Sequence, residues 1–225
     1  MKLTYLGHSA VLVEEGHFKG IIDPYILQNP SCHFNINDAG NITHVFITHG
    51  HGDHMGDAIE IAKKYNSLIV ANHEISTYLG RFNVRTHAMH IGGRISFDFG
   101  KVKMTNALHG SGISSGNDMV CGGNPCGFVI EINGKKIYHA GDTGLTFDMK
   151  LLEDEKIDVA FIPIGGNFTM DIDDAVKAVE FIKPKKVVPI HYNTFSLINA
   201  DPYEFKKKAY PFDVVVMGSS ESINI

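Results

Sequence analysis

Apolar positions in this chain fall mostly into short blocks, about four to eight residues long, bounded by glycine or polar turns, which is the spacing of strands. Residues 1–100 are mostly of this kind. "SAVLVEEGHFKGIID" joins two apolar runs through a turn at Glu15–Gly16, and "RISFDFGKVKMTNAL" predicts a second hairpin around Gly100. "GFVIEINGKKIYHAGD" predicts a third, because Asn133–Gly134 suits the type I′ turn between two alternating strands. Helical spacing is confined to three segments. Residues 57–65 put Ile59, Ala62 and the Ile61/Tyr65 pair on one stripe, and residues 173–183 do so with Val176, Val179, Ala175 and Ile182, stopped by Pro184. Residues 201–209 open with Asp201 as N-cap, Pro202 at N1 and Glu204 at N3.

Several apolar runs end directly in residues that can do chemistry. "HVFIT" leads into His49, "KVKMTNAL" into His109, "KKIYHAG" into Asp142 and "KKVVPI" into His191, while "DVAFIPIGG" ends in the Gly165–Gly166 turn. Strand ends that aim loops at one common edge are how sheet-based enzymes gather a site from distant sequence. A β-rich first half, helices scattered between runs and fully apolar strands predict an α/β architecture of two sheets packed together with helices outside. No linker or low-complexity stretch interrupts it, so residues 1–225 are expected to form one domain.

Composition removes several classes of function. With 44% apolar and 20% charged residues the chain is of globular type. A net charge of −5 gives no electrostatic footprint for nucleic acid or an anionic membrane, and three arginines against seventeen lysines leave few bidentate phosphate clamps. No segment has membrane-spanning length, the opening residues lack a hydrophobic region of secretory length, and three cysteines form no CxxC pair. The expected compartment is the reducing cytoplasm. The anomaly is thirteen histidines, since histidine is the commonest metal ligand.

"THGHGDHMGD" concentrates that anomaly, placing His49, His51, Asp53 and His54 within six positions, with Gly50 and Gly52 expected to permit a sharp backbone. One tetrahedral ion wants about four ligands in all and could not use four comfortably from so short a segment. Two ions, about 3.5–4 Å apart as in two-metal hydrolases, would use them and still need ligands from outside. His109, Asp142 and His191 are the candidates.

The order H-x-H-x-D-H, a lone histidine, "HAGDTG" and "PIHYNT" resembles the metallo-β-lactamase superfamily. "YLGHSAVLVE" and "FIPIGGNFTMD" resemble its branch of metal-dependent hydrolases related to ascorbate-phosphate lactonase, over residues 3 to about 217. The resemblance implies a four-layer αβ/βα sandwich with two metal ions at one edge of the sheets. It implies His49, His51 and His109 on the first metal, Asp53, His54 and His191 on the second, and Asp142 bridging. β-Lactamases proper commonly carry cysteine where Asp142 stands, so the resemblance does not extend to antibiotic hydrolysis.

The expected function is hydrolysis of a small ester, lactone or phosphoester by a metal-bridging hydroxide. Two divalent ions are expected per chain, zinc first, with manganese, iron or nickel also suited to these donors. Asp53 is a candidate proton acceptor as well as a ligand. His8 is a candidate for orienting a ligand or touching substrate, or else it caps a strand end. His139 is a candidate catalytic residue unless strand alternation points it elsewhere. Tyr192 and Asn193 either touch substrate or pack. The other six histidines, His17, His33, His44, His73, His87 and His90, read as surface or satisfied side chains. Residues 109–127 read as a long glycine-rich loop without regular structure. The rivals are a phosphodiesterase or RNA-processing nuclease on the same fold, a non-catalytic metal-binding protein, and an iron-dependent redox enzyme. No nucleic-acid or membrane partner is expected, and self-association into a homo-oligomer stays open.

Overall fold

A computed structural model describes residues 1–225. The first six strands, β1 (Lys2–Gly7), β2 (Ala10–Glu15), β3 (Phe18–Ile22), β4 (His44–Phe46), β5 (Leu68–Asn72) and β6 (Arg85–Met89), form one sheet. β7 (Arg94–Phe97) and β8 (Gly100–Asn106) begin a second sheet. β9 (Gly112–Ser115) and β10 (Asp118–Cys121) form a separate hairpin. β11 (Cys126–Ile132), β12 (Lys135–His139), β13 (Val159–Pro163), β14 (Lys186–Ile190) and β15 (Asp213–Val214) complete the second sheet. β16 (Ser222–Asn224) returns to pair with β1.

Both sheets are mixed. β1, β2 and β3 pair antiparallel and β3 through β6 parallel. In the second sheet β7, β8, β11 and β12 pair antiparallel and β12 through β15 parallel. Two antiparallel steps restore direction, so β1 runs with β3, and β8 runs with β12. The C-terminal ends of β1, β3 and β4 therefore share one edge of the first sheet, and those of β8, β12, β13 and β14 share one edge of the second.

Strand alternation sorts the core into layers. Between the sheets lie Val11, Val13, Ile22 and Phe46 from one side and Met104, Phe128, Ile130 and Phe161 from the other, with Phe46 and Phe128 edge-to-face at 5.5 Å. On the outer face of the first sheet, Leu12, Ile21, Val45 and Ile69 meet α2 (Ala58–Tyr65) and α3 (His73–Gly80). On the outer face of the second, Val129, Tyr138, Ala160 and Val187 meet a 3₁₀ helix (Phe147–Glu155), α4 (Ile172–Ile182) and α5 (Pro202–Lys208). The result is the four-layer αβ/βα sandwich. No helix is long and apolar enough to cross a membrane.

The three segments with helical spacing become α2, α4 and α5, within a residue or two of the expected bounds. Asp201 caps α5 through the Tyr203 N–H, as its sequence signature predicts. α3 has no expectation behind it; its start is set by Asn72, whose side-chain oxygen accepts from the Ile75 N–H. The 109–127 segment corrects the sequence reading, because it folds as the β9–β10 hairpin in the register Gly112↔Cys121.

Because the layers meet at the Phe46–Phe128 contact, Phe128→Ala is expected to cost about 3–5 kcal/mol of stability. Tyr210→Ala, at a side chain 84% exposed, should stay within about 0.5 kcal/mol. Denaturant midpoints for the two variants check the contrast.

Candidate metal centre

Each expected ligand stands where a strand of the sandwich ends. His49 follows β4 by three residues and His51 is the N-cap of α1 (Gly52–Met55), a single turn that carries Asp53 and His54. That turn, and not glycine torsion, separates the pair His49/His51 from the pair Asp53/His54, since neither Gly50 nor Gly52 has a left-handed φ. Gly50 is needed for another reason: a Cβ there would lie 2.9 Å from Ser111 O and 2.7 Å from Ile113. It lets the hairpin segment pack onto the histidine turn, whereas Gly52 has open space around it. Gly141 (φ +62) brings the Asp142 loop close, with only 2.8 Å between its missing Cβ and Thr48 Cβ.

The seven side chains converge. Ligand atoms of His49, His51 and His109 lie within 4.8 Å of one another, as do those of Asp53, His54, His191 and His8, and those of His49, His54 and Asp142. His51 Nδ1 is 3.0 Å from His49 Nε2. Asp142 sits among three rings, with oxygens 3.2 Å from His54 Nε2, 3.0 Å from His191 Nε2 and 3.6 Å from His109 Nε2. His49, His54, Asp142 and His191 are buried, while Asp53 keeps 28% of its side chain open.

The residues present fit divalent ions. His54 Nε2, His191 Nε2 and Asp142 Oδ1 are buried, and the close approaches between these rings and the carboxylate lack hydrogen-bond geometry. Polar atoms left so are costly unless a cation completes them. Charge points the same way. Burial alone would lower the His54 pKa, but the Asp142 and Asp23 carboxylates hold it well above the ordinary histidine value, so the pocket attracts positive charge. Burial works against the Asp142 carboxylate, yet His54 and His191 hold its pKa well below the usual range. Burial, reinforced by His54, keeps His49 well below the ordinary value and hence neutral, the form that ligates.

The sequence reading missed Asp23, which is wholly buried at the end of β3 in a left-handed conformation (φ +46). His54 Nδ1–H donates to Asp23 Oδ2 at 2.7 Å. The Thr48 hydroxyl also donates to Asp23, at 2.7 Å, and so must accept from His49 Nδ1–H at 3.0 Å. One carboxylate thereby fixes the tautomer of two rings and leaves both Nε2 lone pairs facing inward. A signal existed: "FKGII" ends in Asp23 just as neighbouring runs end in His49 and Asp142.

His8 is brought to the site. Its Nε2 lies 3.1 Å from Asp53 Oδ2 and its Nδ1 lies 3.0 Å from Thr194 Oγ1. The ring rests on His191 at 4.1 Å, and burial lowers its pKa to about 4. His139 is placed differently from the expectation. It is fully buried, its Nε2 donates to Ser9 O at 2.8 Å and its Nδ1 accepts from the Gly141 N–H at 3.1 Å. With both nitrogens taken by backbone it has none left for chemistry; it braces the turn that carries Asp142. Tyr192 packs with the outer core and Asn193 accepts from the Ala200 N–H, so both take the packing role. His44 is satisfied by Thr43 Oγ1 and by aromatic neighbours at the other end of β4.

Comparison with known proteins identifies the family. Residues 21–192 match the beta-lactamase superfamily domain. A UPF0173 metal-dependent hydrolase of Alkaliphilus metalliredigens is 55% identical over 227 residues, covering 100% of both chains. Another, from Natranaerobius thermophilus, is 50% identical over 208 residues, 92% of this chain and 90% of its own. Among solved structures, Igni18, a metallo hydrolase from the hyperthermophilic archaeon Ignicoccus hospitalis, superposes with a TM-score of 0.90 at 38% identity, covering 99% of this chain and 97% of its own.

Asp23→Asn keeps the shape but not the charge that holds the His54 and Thr48 hydrogens. Its expected effect is a loss of about 10–100-fold in metal affinity, read by competition with a coloured chelator.

Proposed function

The chain belongs to the beta-lactamase superfamily as a metal-dependent hydrolase, and from that premise we propose that it is a dinuclear cytoplasmic enzyme. Its substrate is a small ester, lactone or phosphoester. The observation that supports this most is the set of inward, unpartnered atoms on His54, His191 and Asp142, adjoining the separate His49–His51–His109 group. His49, His51 and His109 would hold one ion, and Asp53, His54 and His191 the other, with Asp142 within reach of both groups. Zinc suits these donors best, and manganese, iron or nickel would also be accepted.

Bound there, a pair of divalent ions supplies a water of lowered pKa and a positive pole for the oxygen of the substrate. The chain's own contribution is to set the stage for that water. Asp142, dry and flanked by His54 and His191, stays ionised. Asp53 is the carboxylate with most access to solvent, and the His8 contact keeps one of its oxygens in place. Burial works against its charge, but the His8 hydrogen bond and the His54 charge hold its pKa well below the usual range, so it is an ionised ligand first and only a transient proton acceptor during turnover. His8 acts through Asp53, and Thr194 in turn steadies His8.

Elemental analysis of purified protein should return about two ions per chain. His51→Ala and Asp142→Ala should lower turnover of p-nitrophenyl esters, lactones and phosphodiesters by about 100-fold or more while far-UV circular dichroism stays unchanged. Metal-free protein that still turned over substrate would sink the mechanism, and activity confined to RNA would favour the nuclease reading instead.

A further inference from the structure

Two features around the metal centre remain unused by the reaction scheme. The first is an absence of cations along the chain. The ligands fall in spans bounded by Lys19 and Lys63, Lys103 and Lys135, Lys136 and Lys150, and Lys186 and Lys206, and no lysine or arginine occurs inside any of these spans. The same holds between Lys2 and Lys19, which bound His8, and between Lys156 and Lys177, which bound the Gly165–Gly166 turn. Acidic residues do occur there, among them Asp53, Asp57, Asp118 and Asp148.

The second feature is apolar. Leu27, Leu108, Met119 and Phe195 are 71%, 63%, 70% and 37% exposed. Leu108 directly precedes His109, and its carbonyl accepts from the Gly144 N–H beside Asp142. Met119 lies on the β9–β10 hairpin, whose Gly112 it covers, and that hairpin segment packs on Gly50 between His49 and His51. Phe195 stands 5.3 Å from the His8 ring. Exposed apolar side chains thus adjoin both parts of the cluster, Leu108 and the Met119 hairpin beside the His49–His51–His109 group and Phe195 beside His8. Exposed apolar groups gathered at a functional mouth mark ligand contact.

Resting on the hydrolase reading above, we infer that the substrate is an electrically neutral carboxylic ester or lactone with an apolar substituent, and not a phosphate ester. A phosphate ester would find no lysine or arginine in these loops to share its charge, whereas an alkyl group would find exposed Leu108 and Met119 near His109 and the histidine turn and Phe195 near His8. In the reaction the oxygen of water bonds to the carbonyl carbon and the C–O bond to the alcohol breaks. The alcohol keeps one proton of that water and the acid product releases the other.

The test uses the metal-loaded protein with p-nitrophenyl acetate, butyrate, hexanoate and octanoate, beside bis(p-nitrophenyl) phosphate. The expected kcat/KM rises about two- to fourfold per methylene, fourfold being the factor for a fully buried CH₂, and exceeds that for the phosphate. Leu108→Lys and Met119→Lys, both at exposed positions, should flatten the rise while two ions stay bound. Ester turnover without a chain-length rise, a preference for the phosphate, or an unchanged rise in both variants would overturn this inference and leave the hydrolase reading standing. No turnover of any ester or of the phosphate with both ions bound would overturn both.

Discussion

A buried carboxylate ringed by imidazoles, with no hydrogen bond to spare, is the constraint on which the rest of this protein turns. Asp142 is desolvated, and the His54 and His191 Nε2 atoms approach its oxygens at 3.2 and 3.0 Å without hydrogen-bond geometry. Taking such groups out of water costs several kcal/mol apiece unless a strong partner compensates. Divalent cations are the partners that would satisfy carboxylate and neutral imidazoles together. The stability of this edge of the sandwich and its chemistry therefore have one origin.

The surrounding fold serves that constraint. Mixed sheets bring the ends of β1, β3 and β4 against the ends of β8, β12 and β14, so that His8, Asp23, His49, His109, Asp142 and His191 reach one place from across the chain. His8, Asp23 and His191 all adopt left-handed backbone there, at φ of +57, +46 and +54. Such conformations persist in non-glycine residues only where the surroundings over-determine them, and they gather at functional sites. Asp23 is the clearest case: its carboxylate is taken up by Thr48 and His54, and it thereby orients the candidate ligands His49 and His54.

Supporting side chains divide by whether a nitrogen is left over. His139 and His8 look alike in sequence, each near a strand end beside small residues. His139 commits both ring nitrogens to backbone and steadies a turn, whereas His8 reaches Asp53 with one nitrogen and Thr194 with the other. The two differ in what lies opposite, which follows from the pairing of β12 with β11 and β13 and from the way β1 ends at a glycine.

The sequence by itself determined the sandwich class and the seven convergent ligand candidates, because both are written in local patterns. Strand-length apolar blocks and helix caps act over a few residues, and His49, His51, Asp53 and His54 share one turn. His109, Asp142 and His191 were legible because each follows an apolar run, which marks a strand end whatever the strand order. Only the tertiary structure decided the roles of Asp23, His139, Thr194 and the glycines of the histidine turn. Those depend on which side of a strand faces which neighbour, and register between segments as distant as Ser9 and His139 leaves no periodicity to read. The β9–β10 hairpin was hidden for a related reason: its strands are only four residues long, and the apolar pair that anchors it to the core, Ile113 opposite Val120, is too short a pattern to set a period.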